Sequence, residues 1–134
     1  MPTNVIEPEL SYEVMSTLFT VHNQLGNRLQ EKYYQRAIEV ELLDRKISFE
    51  KEKCIPIRFK NKKIGTYYID FVIEGKIVLE TKTVPLLTKQ DENQTLSYMK
   101  ELQVRLGILA NFRNPKLAYK RLVLPDKYLQ TNSL

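Results

Sequence analysis

One cysteine and one histidine occur in the 134 residues. No apolar run approaches the roughly 20 residues needed to cross a bilayer. Each shortage excludes something. A lone Cys54 rules out an internal disulfide and fits a reducing compartment, so a cytoplasmic protein is expected. Cys54 lies between Lys53 and Ile55 in strand-like sequence with no histidine near it, which suggests a buried structural thiol and not a nucleophile. A lone His22 disfavours a histidine-rich zinc site and leaves Ser-His or Cys-His catalysis one candidate base. His22 could sit near Glu31, but a core or surface role is the simpler expectation. The opening MPTNVIEPEL has no basic segment followed by an apolar one, so no signal peptide is expected. Repeats, low-complexity tracts and long Gly/Ser/Pro linkers are also missing.

What is present describes one globular domain over residues 1–134. The hydrophobic fraction is 43% and the charged fraction 28%, ordinary for a folded protein. A chain of this length buries about two-thirds of its unfolded surface and needs no metal or disulfide to hold a core. The formal charge of +5 is moderately basic and compatible with a polyanionic partner. No signature of a particular oligomeric state stands out.

Hydrophobic periodicity gives the elements. Val14, Leu18, Val21 and Leu25 line one helical face over residues 10–25, and Gly26-Asn27 ends it. A second helix is expected over 29–44. Its stripe is Tyr34, Ile38 and Leu42, widened by Leu29, Tyr33, Ala37 and Val40. Glu31 heads that stripe, either as a first-turn charge favoured by the helix dipole or as an inward carboxylate. The period then changes to two. Strands are expected at 47–52, 55–60, 64–73 and 76–84, with turns at Asn61-Lys62-Lys63 and Glu74-Gly75. A helix over 88–103 and strands at 104–111 and 117–124 complete the order. The order is helix, three or four antiparallel strands, helix, two strands: α+β with one central sheet flanked by helices.

The stretch IDFVIEGKIVLETK, residues 69–82, places Asp70, Glu80 and Lys82 inside two apolar strands. Side chains alternate faces along a strand, so turn parity decides whether these charges meet. A two-residue Glu74-Gly75 turn puts Asp70 and Glu80 on opposite faces. An odd connection pairs 72 with 76 or with 78, and the carboxylates then meet diagonally or directly. A three-residue Ile73-Glu74-Gly75 loop with a left-handed glycine has that parity. Two carboxylates about 5 Å apart repel and are costly to desolvate, and a hard divalent cation, Mg or Mn, relieves the repulsion. With Lys82 positioning water, the set suits phosphodiester hydrolysis. Glu31 could add a third carboxylate. Gln94 and Tyr98 share a helix face and could reach a lysine or phosphate. Solvated strand charges and ordinary helix surface are the plain alternatives.

The runs VHNQLGNRLQEKYYQRAIEVEL, YYIDFVIEGKIVLETKTV, QTLSYMK and LGILANFRNPKLAYKRLV resemble the GxxExxY proteins of the PD-(D/E)XK nuclease superfamily. The likeness spans about residues 14–123 and implies a restriction-endonuclease-like αβββαβ core with a central mixed sheet. Glu31 and Tyr34 stand in the naming motif, Arg28 replaces its glycine, and Gly26 matches a preceding family glycine. Ile69 stands where the superfamily often has proline. The resemblance implies Asp70 and Glu80 as metal ligands, joined by the carbonyl of Thr81. It implies Lys82 as the catalytic lysine, Glu31 as a supporting acid, and Gln94 with Tyr98 as the helix motif. The expected activity is Mg- or Mn-dependent cleavage of nucleic acid, DNA before RNA. Arg58, Lys60, Lys62, Lys63, Arg113, Lys116, Lys120 and Arg121 are candidate phosphate contacts. The rival is a non-catalytic nucleic-acid- or protein-binding module that keeps the fold.

Overall fold

A computed structural model describes residues 6–130; Met1 to Val5, half of the stretch read for a signal peptide, lie outside the described residues. The elements are α1 (Pro8–Leu25), α2 (Glu31–Asp44), β1 (Phe49–Phe59), β2 (Lys62–Ile73), β3 (Ile77–Lys82), α3 (Lys89–Leu102), β4 (Leu106–Asn111), β5 (Ala118–Val123) and a short 3-10 turn, Asp126–Tyr128. The five strands form one sheet in sequence order. All neighbours are antiparallel except β3 and β4, which run parallel across the α3 crossover.

Alternation along the strands sorts the core into two layers. Phe71, Ile73, Ile77, Leu79, Leu106 and Ile108 meet α1 and α2 through Val14, Leu18, Ile38 and Leu42. Val72, Val78 and Leu122 meet α3 through Tyr98 and Met99 on the opposite face, joined by Ile69, which shares this layer because the alternation breaks at Asp70. Gly107 lets α3 come close: a Cβ there would lie 2.5 Å from Met99 Sδ. Thr88 and Asp91 cap α3 reciprocally.

Tyr34 shows how sequence becomes packing. Its ring stacks on Phe112 at 4.6 Å. Its hydroxyl donates to the Gly26 carbonyl at 2.7 Å and accepts from the Leu29 amide at 3.2 Å. One side chain therefore fixes the α1–α2 connection, which positions the first turn of α2.

Several expectations change. Residues 47–52 and 55–60 are not two strands; β1 is one strand through Pro56, which an edge position tolerates. The β1–β2 turn is two residues, Lys60 and Asn61, both at positive φ, so Lys62 and Lys63 belong to β2. Leu29, Tyr33, Val40 and Leu25 are exposed; the apolar stripe of α2 is narrower than its composition implies. Cys54 is exposed on the outer strand and not buried. His22 is buried with Nε2 2.9 Å from the Asn114 carbonyl, where it tethers the β4–β5 loop.

Candidate active site

The site forms where β2 and β3 stop being a regular ladder. Ile73 pairs with Ile77, Val72 with Val78 and Phe71 with Leu79. The connection is thus three residues, Glu74, Gly75 and Lys76, with Glu74 and Gly75 at φ 51° and 66°. Its parity is odd, one residue later than an Ile73-Glu74-Gly75 loop. Continuing this register places Asp70 directly opposite Glu80.

At that next step the backbone ladder is replaced by carboxylates. The Asp70 amide donates to Glu80 Oε2 at 2.7 Å. Asp70 Oδ2 accepts from the Thr81 amide at 2.8 Å and from the Thr81 hydroxyl at 2.9 Å. On the other side of β2, the ladder to β1 skips the 52/70 position, and Glu52 takes φ 55°. Asp70 thus sits where β2 releases both neighbours, and its freed amide finds a side-chain acceptor.

Helix α2 supplies the next layer. Gln35 donates to the Thr81 hydroxyl at 2.9 Å and to Glu31 Oε2 at 3.2 Å. Glu31 opens α2 and reaches the centre through Gln35. The i, i+4 spacing to Glu31 is local, but nothing in the sequence reports the contact of Gln35 with Thr81. From α3, Asp91 Oδ1 lies 4.0 Å from Lys82 Nζ. Sequence reasoning did not single out Asp91, which faces that ammonium from the helix side.

Burial sets the electrostatics. Glu80 is 6% exposed. Burial, then the neighbouring Asp70 charge, pushes its carboxyl up to about 8. Burial also raises Asp70, against the opposing pull of the Thr81 hydrogen bonds. Glu31 moves up by burial and by the charge of Asp70. The Tyr98 hydroxyl is pushed up to about 12 by burial and by Glu80. Burial leads in all four shifts, and among the acids it outweighs the pull of Lys82, so three carboxylates meet here with little water to screen them.

Such a group of carboxylates could hold a divalent cation. Among the described residues no hydrogen bond reaches Asp70 Oδ1 or Glu80 Oε1, leaving each carboxylate an oxygen to offer. No group of three or more His, Cys, Asp and Glu side chains suited to a metal occurs among the described residues. The donor set is two carboxylates, which matches magnesium, an ion that keeps several waters. Thr81, expected to offer its carbonyl, directs its amide and hydroxyl to Asp70.

The remaining candidates fall into place unevenly. Tyr98 is buried against Tyr67, rings 5.6 Å apart. Gln94 is half-buried on α3; no hydrogen bond links it to Lys82 among the described residues. Arg58, Lys60, Lys62 and Lys63 cluster at the exposed tip of the β1–β2 arm. Arg113 and Lys116 are exposed on the β4–β5 loop, at the sheet end where Lys82 pairs with Asn111. Lys120 is exposed on β5, whereas Arg121 donates to the Ile6 carbonyl at 2.7 Å and is half-buried.

A mixed sheet between helices, with paired acids and a lysine where its strands part, defines a restriction-endonuclease-like protein. A family model described as the PD-(D/E)XK nuclease superfamily matches residues 8–122. The chain belongs to that superfamily. The crystal structure of SSO0001 shares the fold, with TM-score 0.50 and 17% identity over 87% of this chain and 78% of that one. Among curated proteins, none shows significant similarity.

Proposed function

We propose that the protein is a metal-dependent nuclease of the GxxExxY type that hydrolyses phosphodiester bonds in DNA. The observation carrying this reading is the Asp70–Glu80 step, where buried carboxylates replace a backbone ladder and Lys82 lies two residues away. Folding alone gains nothing from such a step, because buried like charges oppose it.

Asp70 and Glu80 would hold Mg or Mn, with Thr81 and Gln35 fixing the angle of Asp70. When bound, the ion supplies a water of lowered pKa and neutralises charge on a phosphate oxygen. Lys82 Nζ is half-buried and restrained by Asp91, so its positive charge is available to orient a water or the reacting phosphate. Glu31, through Gln35, completes an acidic rim that favours protonated or cation-bound states. Arg58, Lys60, Lys62 and Lys63 on one side, and Arg113 and Lys116 on the other, flank this end of the sheet and suit a phosphate backbone.

The test is cleavage of single- and double-stranded DNA and of RNA with Mg²⁺ or Mn²⁺. The wild-type chain should cut DNA, and Glu80→Ala and Lys82→Ala should each lose that activity. A second reading, a binding module without turnover, draws on the two-carboxylate donor set, which lacks a third acid at the centre. Nucleic-acid binding that survives both substitutions, with no cleavage in either metal, selects it.

A further inference from the structure

The β1–β2 arm runs past the site. β2 pairs with β3 only through residues 71–73, so residues 62–69 extend beyond Asp70 by about 25 Å at the rise of a strand. The face of this arm turned toward α3 carries Ile55, Ile57 and Tyr67, with Ile55 directly opposite Tyr67. Between that face and α3 lies a groove of about 310 Å³, walled by Ile55, Ile57, Tyr67 and Tyr98 with Arg58 and Glu101 among its polar residues. Tyr67 stays 44% exposed although its ring meets Tyr98 edge-on. Tyr67 therefore keeps accessible surface that a flat ligand can meet.

We propose that this groove seats an unpaired nucleobase, stacked on Tyr67, so that the substrate is single-stranded DNA or a single-stranded segment of a duplex. The proposal rests on the nuclease reading of Asp70 and Glu80. Three observations favour this occupant. Tyr67 is three residues from Asp70 along β2, about 10 Å, which is about three nucleotide steps at 3.4 Å each. Isoleucines beneath an accessible tyrosine make an apolar slot with an aromatic wall, the surface on which bases of any sequence stack. Beyond it, Arg58, Lys60, Lys62 and Lys63 continue the strand path with positive charge. Glu101 can accept from an exocyclic amine and turns phosphates toward Arg58. A paired base has its face covered by its neighbours and cannot enter such a slot without leaving the stack.

The chain has no tryptophan, so Tyr67→Trp gives a single fluorescent reporter. In a Lys82→Ala background without added metal, the probes are dT12, a 12-base-pair blunt duplex and a 12-residue abasic strand. Expected results are quenching of the introduced indole by dT12 and at least tenfold weaker binding of the abasic strand. Tyr67→Ala should weaken dT12 binding about 5- to 150-fold, the equivalent of 1–3 kcal/mol per stacked base. Tyr67→Leu, which keeps bulk without the ring, should weaken it similarly and serves if the alanine variant does not fold. Equal binding of dT12 and the abasic strand, tighter binding of the duplex, or undiminished dT12 binding by Tyr67→Leu overturns the proposal. Cleavage of duplex by the wild-type chain, without stacking of dT12, rejects the groove and keeps the nuclease. Stacking of dT12 without cleavage in Mg²⁺ or Mn²⁺ keeps the groove and rejects the nuclease.

Discussion

The two ends of the β2–β3 pair are built from opposite materials. At one end, Phe71, Val72 and Ile73 face Ile77, Val78 and Leu79 in an unbroken ladder, each at most 3% exposed. One step further, Asp70 and Glu80 occupy the same two strands, and side-chain oxygens take the place of backbone acceptors. The apolar end stabilises the fold, since each such side chain contributes about 1.5–3 kcal/mol on burial. The charged end draws on that stability. The neighbouring ladder therefore holds in register a pair of acids that would otherwise move apart.

The most severe way to break this contrast is to remove an acid from its charged end. Asp70→Asn takes away one carboxylate while the apolar residues still pair. DNA cleavage should fall to background, with a folded circular-dichroism spectrum. Next in size is the effect of the carboxylate network on metal-free stability. Glu80 is held up at about 8 against 4.5 unfolded, so the native state binds more protons between these values. Its stabilising contribution is complete below the unfolded value and is lost as pH rises through the folded one. The melting temperature of metal-free protein should fall from about pH 5 to about pH 8.5, and Glu80→Gln should flatten that slope in a scanning calorimeter.

Removing the supports of Asp70 tests whether its angle matters. Both acids stay in place in Thr81→Val, which loses the hydroxyl bond to Asp70 but keeps the amide bond, and in Gln35→Ala, which loses the donor that orients that hydroxyl. Metal affinity should drop about 10- to 100-fold, read by Mn²⁺ titration with stability followed in parallel. The smallest effect belongs to Tyr34→Phe. It strips the Gly26 carbonyl and Leu29 amide of their partner and should cost about 1 kcal/mol in urea unfolding. Mn²⁺ affinity should stay unchanged, because the stacked ring remains.

Much of this was legible because apolar period and turn residues speak locally. Tyr34, Ile38 and Leu42 are all fully buried as their spacing implies, and α3 begins and ends at residues that cap it. The parity condition at Glu74-Gly75 was also legible, but not its outcome. The sequence permits two- and three-residue turns there, and the choice depends on the ladder on both sides. Gln35 and Asp91 were hidden for another reason. Their roles depend on contacts 46 residues along the chain from Gln35 to Thr81, and between α3 and Lys82, which no local pattern reports. The exposed Cys54 misled because strand-like sequence does not say which strand is the outer one.

The central claim is that the register pairing residues 71–73 with 77–79 brings Asp70 and Glu80 onto one ion. Calorimetric titration of Mn²⁺ into the wild-type chain and into Asp70→Asn tests it directly. One saturable site in the wild type, lost in folded Asp70→Asn and in Glu80→Gln, is the predicted result. Equal Mn²⁺ binding by the wild type and Asp70→Asn, or heat-silent titration of the wild type, would contradict it.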